Sequence, residues 1–373
     1  MTSPPGSSVN PLVRLGELGQ SPWYDYITRD LVIEGELARL IREDGLRGMT
    51  SNPTIFEKAV SGSKLYDDDI RRLMDEGRDP AAIFDALSAE DVREACDLFR
   101  PTFDEYANGD GTVSIEVKPS LAYDAGGTLE ETIRLNALVD RPNVFVKIPG
   151  TQAGLGPIER ATSAGINVNI TLLFSVDRYR DVIEAYFRGL EARIAKGHPI
   201  SHIHSVASFF VSRVDTKIDP QLDKFGDPKK IRGKAAIANA CKAYQLFEET
   251  MASERWRMLA SEGGNLQRPL WASTSTKDPA FPDTYYIDAL VAPYTVNTMP
   301  PETFAAFKDH GSLADRIHEG MTTADRDLRA LAESGIDLGQ VTRELEQEGV
   351  EKFTASYGKL LDGIEAKMAQ VAP

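Results

Sequence analysis

NVFVKIPGT, residues 143–151, places a lone lysine near the end of an otherwise apolar run. Val144 to Ile148 reads as a β-strand, and near-continuous apolar character is expected of a strand buried on both faces by flanking helices. Seven further β-type runs recur along the chain: Trp23 to Ile27, Leu46 to Thr50, Val113 to Val117, Asn167 to Leu172, Ile203 to Phe210, Leu270 to Thr274 and Tyr286 to Val291. Between them apolar residues fall at helical spacing, at Leu31 to Arg42, Asp91 to Tyr106, Leu129 to Val139, Pro157 to Ser163, Asp177 to Ile194 and Lys230 to Ala252. Short strands alternating with helices predict parallel pairing through helical crossovers. Eight such strands predict an α/β fold of the (β/α)8 TIM-barrel type with helical insertions.

The connections at 57–110 and 214–266 are too long for simple crossovers and read as helical insertions rather than separate domains. A last amphipathic stretch, Val341 to Met368, is expected to be a C-terminal helix covering the outside of the barrel. Residues 1–14, rich in Ser, Pro and Gly at the start, are expected to form a flexible segment, and 15–373 a single barrel domain.

Among the 373 residues, 57 acidic against 42 basic side chains give a formal charge of −15, which argues against broad binding to nucleic acid or anionic membranes. The only cysteines, Cys96 and Cys241, lie far apart in helical stretches, so neither a disulfide framework nor a cysteine metal site is expected. No run of about 18 apolar residues is present to span a bilayer, and the amino terminus lacks a secretory apolar segment. The expectation is a cytoplasmic protein. Monomer and homodimer both remain open.

In a parallel barrel, catalytic groups sit at the carboxyl ends of the strands, where the following loops converge. That rule selects Asp25, Asn52, Glu116, Lys147, Asn169, Thr171, Ser208 and Arg213, with Ser275 and Lys277 after the seventh strand. Period-2 alternation puts Lys147 on the face of Phe145, opposite Val144, Val146 and Ile148. If that face points inward, desolvation favours a neutral amine able to attack a ketone and form a Schiff base. A lysine that caps the strand or pairs with a carboxylate fits the segment equally. Asp25 and Glu116 supply carboxylates from two strands for the proton transfers of imine chemistry, although a solvated or ion-paired carboxylate is the commoner fate. Asn52, Asn169, Thr171 and Ser208 suit the hydroxyls of a sugar, or serve as turn and capping residues, a reading favoured for Asn52 before Pro53. Arg213 can hold a phosphate by paired hydrogen bonds or make a surface salt bridge. Ser275 and Lys277 follow the strand after which barrels often bind phosphate.

His202 and His204 share a strand face but sit at the strand's beginning with no accompanying cysteine, so no metal is expected. GGTLEET, at 126–132, lacks the pattern of a phosphate-cradling loop, and no nucleotide or other cofactor is expected.

Read together, GMTSNPTIFEKA (48–59), VSIEVKPSLAYD (113–124), NVFVKIPGT (143–151), GINVNITLLFS (165–175), ASFFVSRVD (207–215) and LWASTSTKD (270–278) resemble the transaldolase family, in this order and across roughly residues 15–365. WASTSTKDP and VNTMP look like its longer bacterial and plant-type subgroup. The resemblance implies that Lys147 is the Schiff-base lysine, Asp25 the acid/base aspartate and Glu116 a glutamate acting through a water that Thr171 helps to hold. It further implies that Asn52, Asn169 and Ser208 contact substrate hydroxyls and Arg213 the phosphate. Ser275 and Lys277 carry over only approximately, because ASTSTK departs from the arginine-containing segment of shorter members. The implied activity is transfer of a three-carbon ketol unit between sugar phosphates. A simple aldolase releasing free dihydroxyacetone and a non-catalytic sugar-phosphate-binding barrel are the rivals.

Overall fold

The computed structural model describes residues 10–106, 109–224, 226–227 and 229–372. Strands β1 (Gln20–Tyr24), β2 (Gly48–Met49), β3 (Thr112–Glu116), β4 (Val144–Pro149), β5 (Val168–Leu173), β6 (Ser205–Phe210), β7 (Gln267–Ala272) and β8 (Thr295–Met299) run parallel, each beside its sequence neighbours. β8 closes on β1 over five residue pairs, from Gln20 with Thr295 to Tyr24 with Met299. The fold is therefore the (β/α)8 barrel expected from the strand pattern, and closure leaves no free sheet edge.

Two strands sit differently from expectation. The run Tyr286 to Val291 is not the eighth strand but contains the helix Tyr285–Ala289. Tyr286, Ile287 and Leu290 are buried at helical spacing, and the Tyr286 hydroxyl donates to Asp215 Oδ2 at 3.0 Å. The true β8, TVNTM, is mostly polar, and its polar side chains are satisfied by neighbours rather than by solvent. Thr295 Oγ1 accepts from Gln20 Nε2 at 2.8 Å, and Asn297 Oδ1 accepts from Thr274 at 2.9 Å. β1 also begins earlier than its apolar run. Gln20 and Ser21 are buried because Gln20 reaches the Leu290 carbonyl at 2.7 Å and Ser21 donates to Asp110 at 2.6 Å. Asp25 consequently falls just beyond the strand end, at the mouth.

The helices, in chain order, begin with α1 (Pro11–Glu17), which precedes the barrel; α2 (Arg29–Ile33) and α3 (Glu36–Asp44) join β1 to β2. The expected flexible segment lies outside the described residues up to residue 9; from Pro11 the chain is helical, capped by Asn10, with Leu12 buried. The first long connection holds α4 (Pro53–Gly62), α5 (Asp67–Asp75) and α6 (Pro80–Glu105), and α6 packs on β3. Single helices α7 (Ala125–Val139), α8 (Leu155–Ala164) and α9 (Val176–Ala195) serve the next three crossovers. The second long connection holds α10 (Ser212–Lys224), α11 (Ala235–Ala252) and α12 (Glu254–Ser261). α13 (Tyr285–Ala289) precedes β8, and α14 (Pro301–His310), α15 (Arg316–Glu333) and α16 (Leu338–Val371) follow it.

α16 does not cover the outside of the barrel, as its amphipathic pattern suggests; it crosses the mouth at the carboxyl ends of the strands, packing on α4, α10 and β5. Its buried residues explain this placement. Val341, Leu345 and Val350 anchor one end, Leu360, Ile364 and Val371 the other, and the turns between are left to span the opening. Gly349 permits the approach: a Cβ there would lie 2.9 Å from Leu172 Cδ2.

Candidate active site

The register of three adjacent strands builds the floor of the site. Glu116 on β3 pairs with Lys147 on β4, and Lys147 pairs with Asn169 on β5, so the three side chains form one row. Lys147 is only 6% exposed. Its Nζ donates to the Ser51 carbonyl at 3.2 Å and lies 3.5 Å from Glu116 Oε2, an ion-pair separation rather than a tight hydrogen bond. The Ser51 carbonyl is free to accept because the chain leaves β2 there and turns into α4. Asn52 caps that helix, its Oδ1 accepting from Ile55 N at 3.2 Å, and Pro53 occupies the first turn.

The Glu116 side chain is largely buried. Burial pushes its carboxyl above the ordinary value and the nearby Asp25 adds to that, while the Lys147 ammonium opposes both. Asp25 lines the main cavity. Thr50 Oγ1 donates to its Oδ1 at 2.7 Å, and the Thr50 and Thr298 hydroxyls are themselves 2.7 Å apart. A short hydroxyl chain thus reaches Asp25 from the residue after β2 and, through it, from β8.

Thr171 owes its position to a break in the sheet. β5 and β6 shift register between Ile170 and Leu173, and Leu172 adopts φ 61°, a left-handed conformation that costs a leucine about 1–3 kcal/mol. The Thr171 hydroxyl is buried and has no hydrogen-bond partner among the described residues. A buried hydroxyl left in that state costs about 1–3 kcal/mol, so it is primed to bind a water or a substrate oxygen. Ser208 Oγ donates to Asn169 Oδ1 at 2.7 Å, and Asn169 Nδ2 donates to Ser114 Oγ at 3.0 Å.

These groups surround an open cavity of about 440 Å³. Eight of the ten sequence-predicted residues line it: Asp25, Asn52, Lys147, Thr171, Ser208, Arg213, Ser275 and Lys277. Two do not. Asn169 lies beneath, its amide engaged by Ser114 and Ser208, so it braces Ser208 where direct substrate contact was expected. Glu116 opens instead on a side cavity of about 20 Å³ shared with Ser51 and Tyr357, which is room for a single water. Across the main cavity Arg213, the second residue of α10, stacks over Phe210 at 4.8 Å and Phe353 at 5.9 Å. Burial pushes its guanidinium below the ordinary value, Asp25 acts the other way, and among the described residues no salt bridge engages it.

A buried lysine paired with Glu116, sharing its cavity with Asp25 and with a guanidinium that no salt bridge engages among the described residues, is arranged for covalent chemistry on an anionic carbonyl compound. A family model described as transaldolase/fructose-6-phosphate aldolase matches residues 22–364. The chain belongs to this family. A transaldolase of Acidothermus cellulolyticus is 52% identical over 353 residues, covering 94% of this chain and 95% of its own length. A transaldolase of a Parafrankia species is 47% identical over 365 residues, with 97% and 99% covered, and a transaldolase 2 of a Nostoc species is 42% identical over 379 residues, with 98% and 100% covered. The chain is an enzyme, a transferase of transaldolase function.

For this transaldolase the strand-end rule overlooked a set of lining residues, for two reasons. Thr298 belongs to the misplaced eighth strand. Lys352, Phe353 and Ser356 come from α16, which the strand-end rule does not reach. Lys58, on α4, also lines the cavity. The signal for the α16 residues was present in the sequence: Gly349, Lys352, Phe353 and Ser356 recur at i, i+3, i+4 and i+7, one helix face with a small residue at its closest approach.

Proposed function

We propose that this transaldolase forms a Schiff base at Lys147. It moves a dihydroxyacetone unit reversibly from sedoheptulose 7-phosphate to glyceraldehyde 3-phosphate, giving erythrose 4-phosphate and fructose 6-phosphate, a step of the pentose phosphate pathway. The observation that carries this reading is the lysine itself: buried, held by the Ser51 carbonyl and Glu116, and opening onto the cavity beside Asp25 and Thr171.

In the reaction Lys147, once it has lost a proton, adds to C2 of the ketose phosphate. The carbinolamine hydroxyl leaves as water with a proton from Glu116, relayed by a water that the unpaired Thr171 hydroxyl helps to hold, and a protonated imine remains. Asp25 takes the proton of the C4 hydroxyl. The C3–C4 bond breaks, its electrons move to the iminium nitrogen, and C4 departs as the aldehyde of the first aldose phosphate. The enamine left on Lys147 then attacks the aldehyde carbon of the second aldose phosphate, whose oxygen recovers the proton from Asp25, and hydrolysis of the imine frees the new ketose phosphate. Arg213 holds the phosphate, with Ser275 and Lys277 beside it. Asn52 and Ser208 meet sugar hydroxyls, and Asn169 keeps Ser208 oriented.

The proposal extends to one barrel domain over 15–373 and to a reducing, cytoplasmic setting. Burial of both free thiols, Cys96 and Cys241, supports the latter.

Reduction with borohydride in the presence of fructose 6-phosphate, read by intact mass, tests the covalent step. A dihydroxyacetone-sized adduct is expected on the wild-type chain and none on Lys147→Ala; no adduct on either would remove the mechanism. Product analysis with and without erythrose 4-phosphate then separates transfer from aldol release. Free dihydroxyacetone as the main product in the presence of the acceptor would replace the transfer reading with the simple aldolase.

A further inference from the structure

We infer that Lys352, on the last helix, is a ligand of the substrate's phosphate and a residue by which this enzyme selects phosphorylated over unphosphorylated sugars. The inference rests on the sugar-phosphate reading above and adds to it a group from outside the barrel strands and their loops.

The backbone of α16 comes close to Arg213 at the turn that carries Lys352. A Cβ at Gly349 would lie 3.8 Å from Arg213 Nη1, and the Phe353 ring is 5.9 Å from both the Arg213 guanidinium and the Lys147 ammonium. Lys352 shares the helix face of these two residues. It lines the main cavity and also a second one, of about 510 Å³, that lies between α10 and α16; Arg213, Ser273 and Lys277 line both as well. The two spaces are thus one continuous groove with Lys352 at the junction.

Arg213, Lys277 and Lys352 line both spaces, and Lys217 lines the second. Glu348, at i−4, is the natural helical partner of Lys352, but its carboxylate is taken by Lys217 from α10, and Glu344 lies 2.8 Å from the same ammonium. Lys217 is thereby neutralised and Lys352 is left, among the described residues, with no salt bridge. Among the described residues Lys277 donates only to the Ser275 hydroxyl, at 2.8 Å, and Arg213 stacks on two aromatic rings. Arg213, Lys277 and Lys352 thus share both spaces without a salt bridge among the described residues, in a chain whose formal charge is −15. Their mutual repulsion is relieved by an anion, and a phosphate monoester offers each cation its own oxygen. Lys58 lines only the main cavity, from α4.

The test compares, at saturating fructose 6-phosphate as donor, transfer to glyceraldehyde 3-phosphate with transfer to unphosphorylated glyceraldehyde in Lys352→Gln, Lys352→Arg and Lys58→Gln. Removing a charge-assisted contact is expected to raise the KM of Lys352→Gln for the phosphorylated acceptor about 10- to 100-fold. Its kcat and its KM for glyceraldehyde should stay near wild type, and Lys352→Arg should recover most of the loss. An equal change for both acceptors, or none, overturns the inference, as does a phosphate-specific loss confined to Lys58→Gln. Failure of the wild-type chain to form a borohydride adduct defeats the Schiff-base reading instead, so the two failures are distinguishable.

Discussion

Glu116 and Asp25 show how one barrel mouth gives two carboxylates different duties. Asp25 accepts a hydrogen bond from Thr50 and faces the cavity, whereas Glu116 sits behind the lysine in a pocket with room for a single water. Burial raises the Glu116 carboxyl, which keeps its neutral, proton-donating form populated to higher pH. Activity that needs this proton is present below the raised value and is lost as pH climbs through it. For Glu116→Gln we expect kcat to fall by about 10²-fold or more and the alkaline limb of the kcat/KM profile set by this group to disappear. Retention of the same alkaline limb in the variant would take the acid role away from Glu116.

At the scale of elements, α16 is the piece that turns an open barrel end into a walled site. It holds position through contacts at both ends. Near its carboxyl end Lys367 pairs with Asp67 at 2.9 Å and donates to the Ser63 carbonyl at the same distance, while Tyr357 packs edge-on to Phe84, which meets Phe56 on α4. At the other end Val341, Leu345 and Val350 are buried, and Gly349 allows the close approach to Leu172. For Gly349→Val the added carbons meet Leu172, which is itself held in a left-handed conformation beside Thr171. Overpacking of this kind costs about 1–3 kcal/mol. The expected result is a lower melting temperature together with a rise in KM for sugar phosphates, because Lys352 and Phe353 move with the helix. A variant with wild-type kinetics would show that α16 does not need its close approach.

For the molecule as a whole, buried carboxylates make stability depend on pH. Asp215 on α10 accepts from Ala236 N at 2.8 Å and from the Tyr286 hydroxyl at 3.0 Å, tying three helices together. Burial, helped by Asp219, pushes its pKa up to about 7 from an ordinary 3.8. The folded chain therefore holds a proton there that the unfolded chain has lost. The stability this contributes is complete below about pH 3.8, declines as pH rises, and is gone above about 7. Asp215→Asn keeps an oxygen for Ala236 and removes the titration, so its melting temperature should fall less than that of the wild type between pH 5 and pH 8. Parallel curves for the two proteins over that range would assign the pH dependence to other groups.

Residues close together in sequence were enough to specify seven of the eight strands, the lysine-bearing one among them, because a strand buried on both faces must be apolar almost throughout, and a lone Lys147 in VFVKI stands out against that background. Position at a strand end selected Asp25, Glu116, Thr171, Ser208 and Arg213 by the same local logic. Local character failed where long-range partners replace solvent. β8 was hidden because its Thr and Asn side chains are satisfied by Gln20 on β1 and by Thr50 and Thr274, just past the ends of β2 and β7, a compensation invisible in TVNTM itself. The same holds for α16, whose periodicity marks a helix with an apolar face but not the surface that face meets. Only tertiary structure decided that this surface is the barrel mouth, since the decision rests on the fit of a missing side chain at Gly349 against Leu172, nearly two hundred residues away.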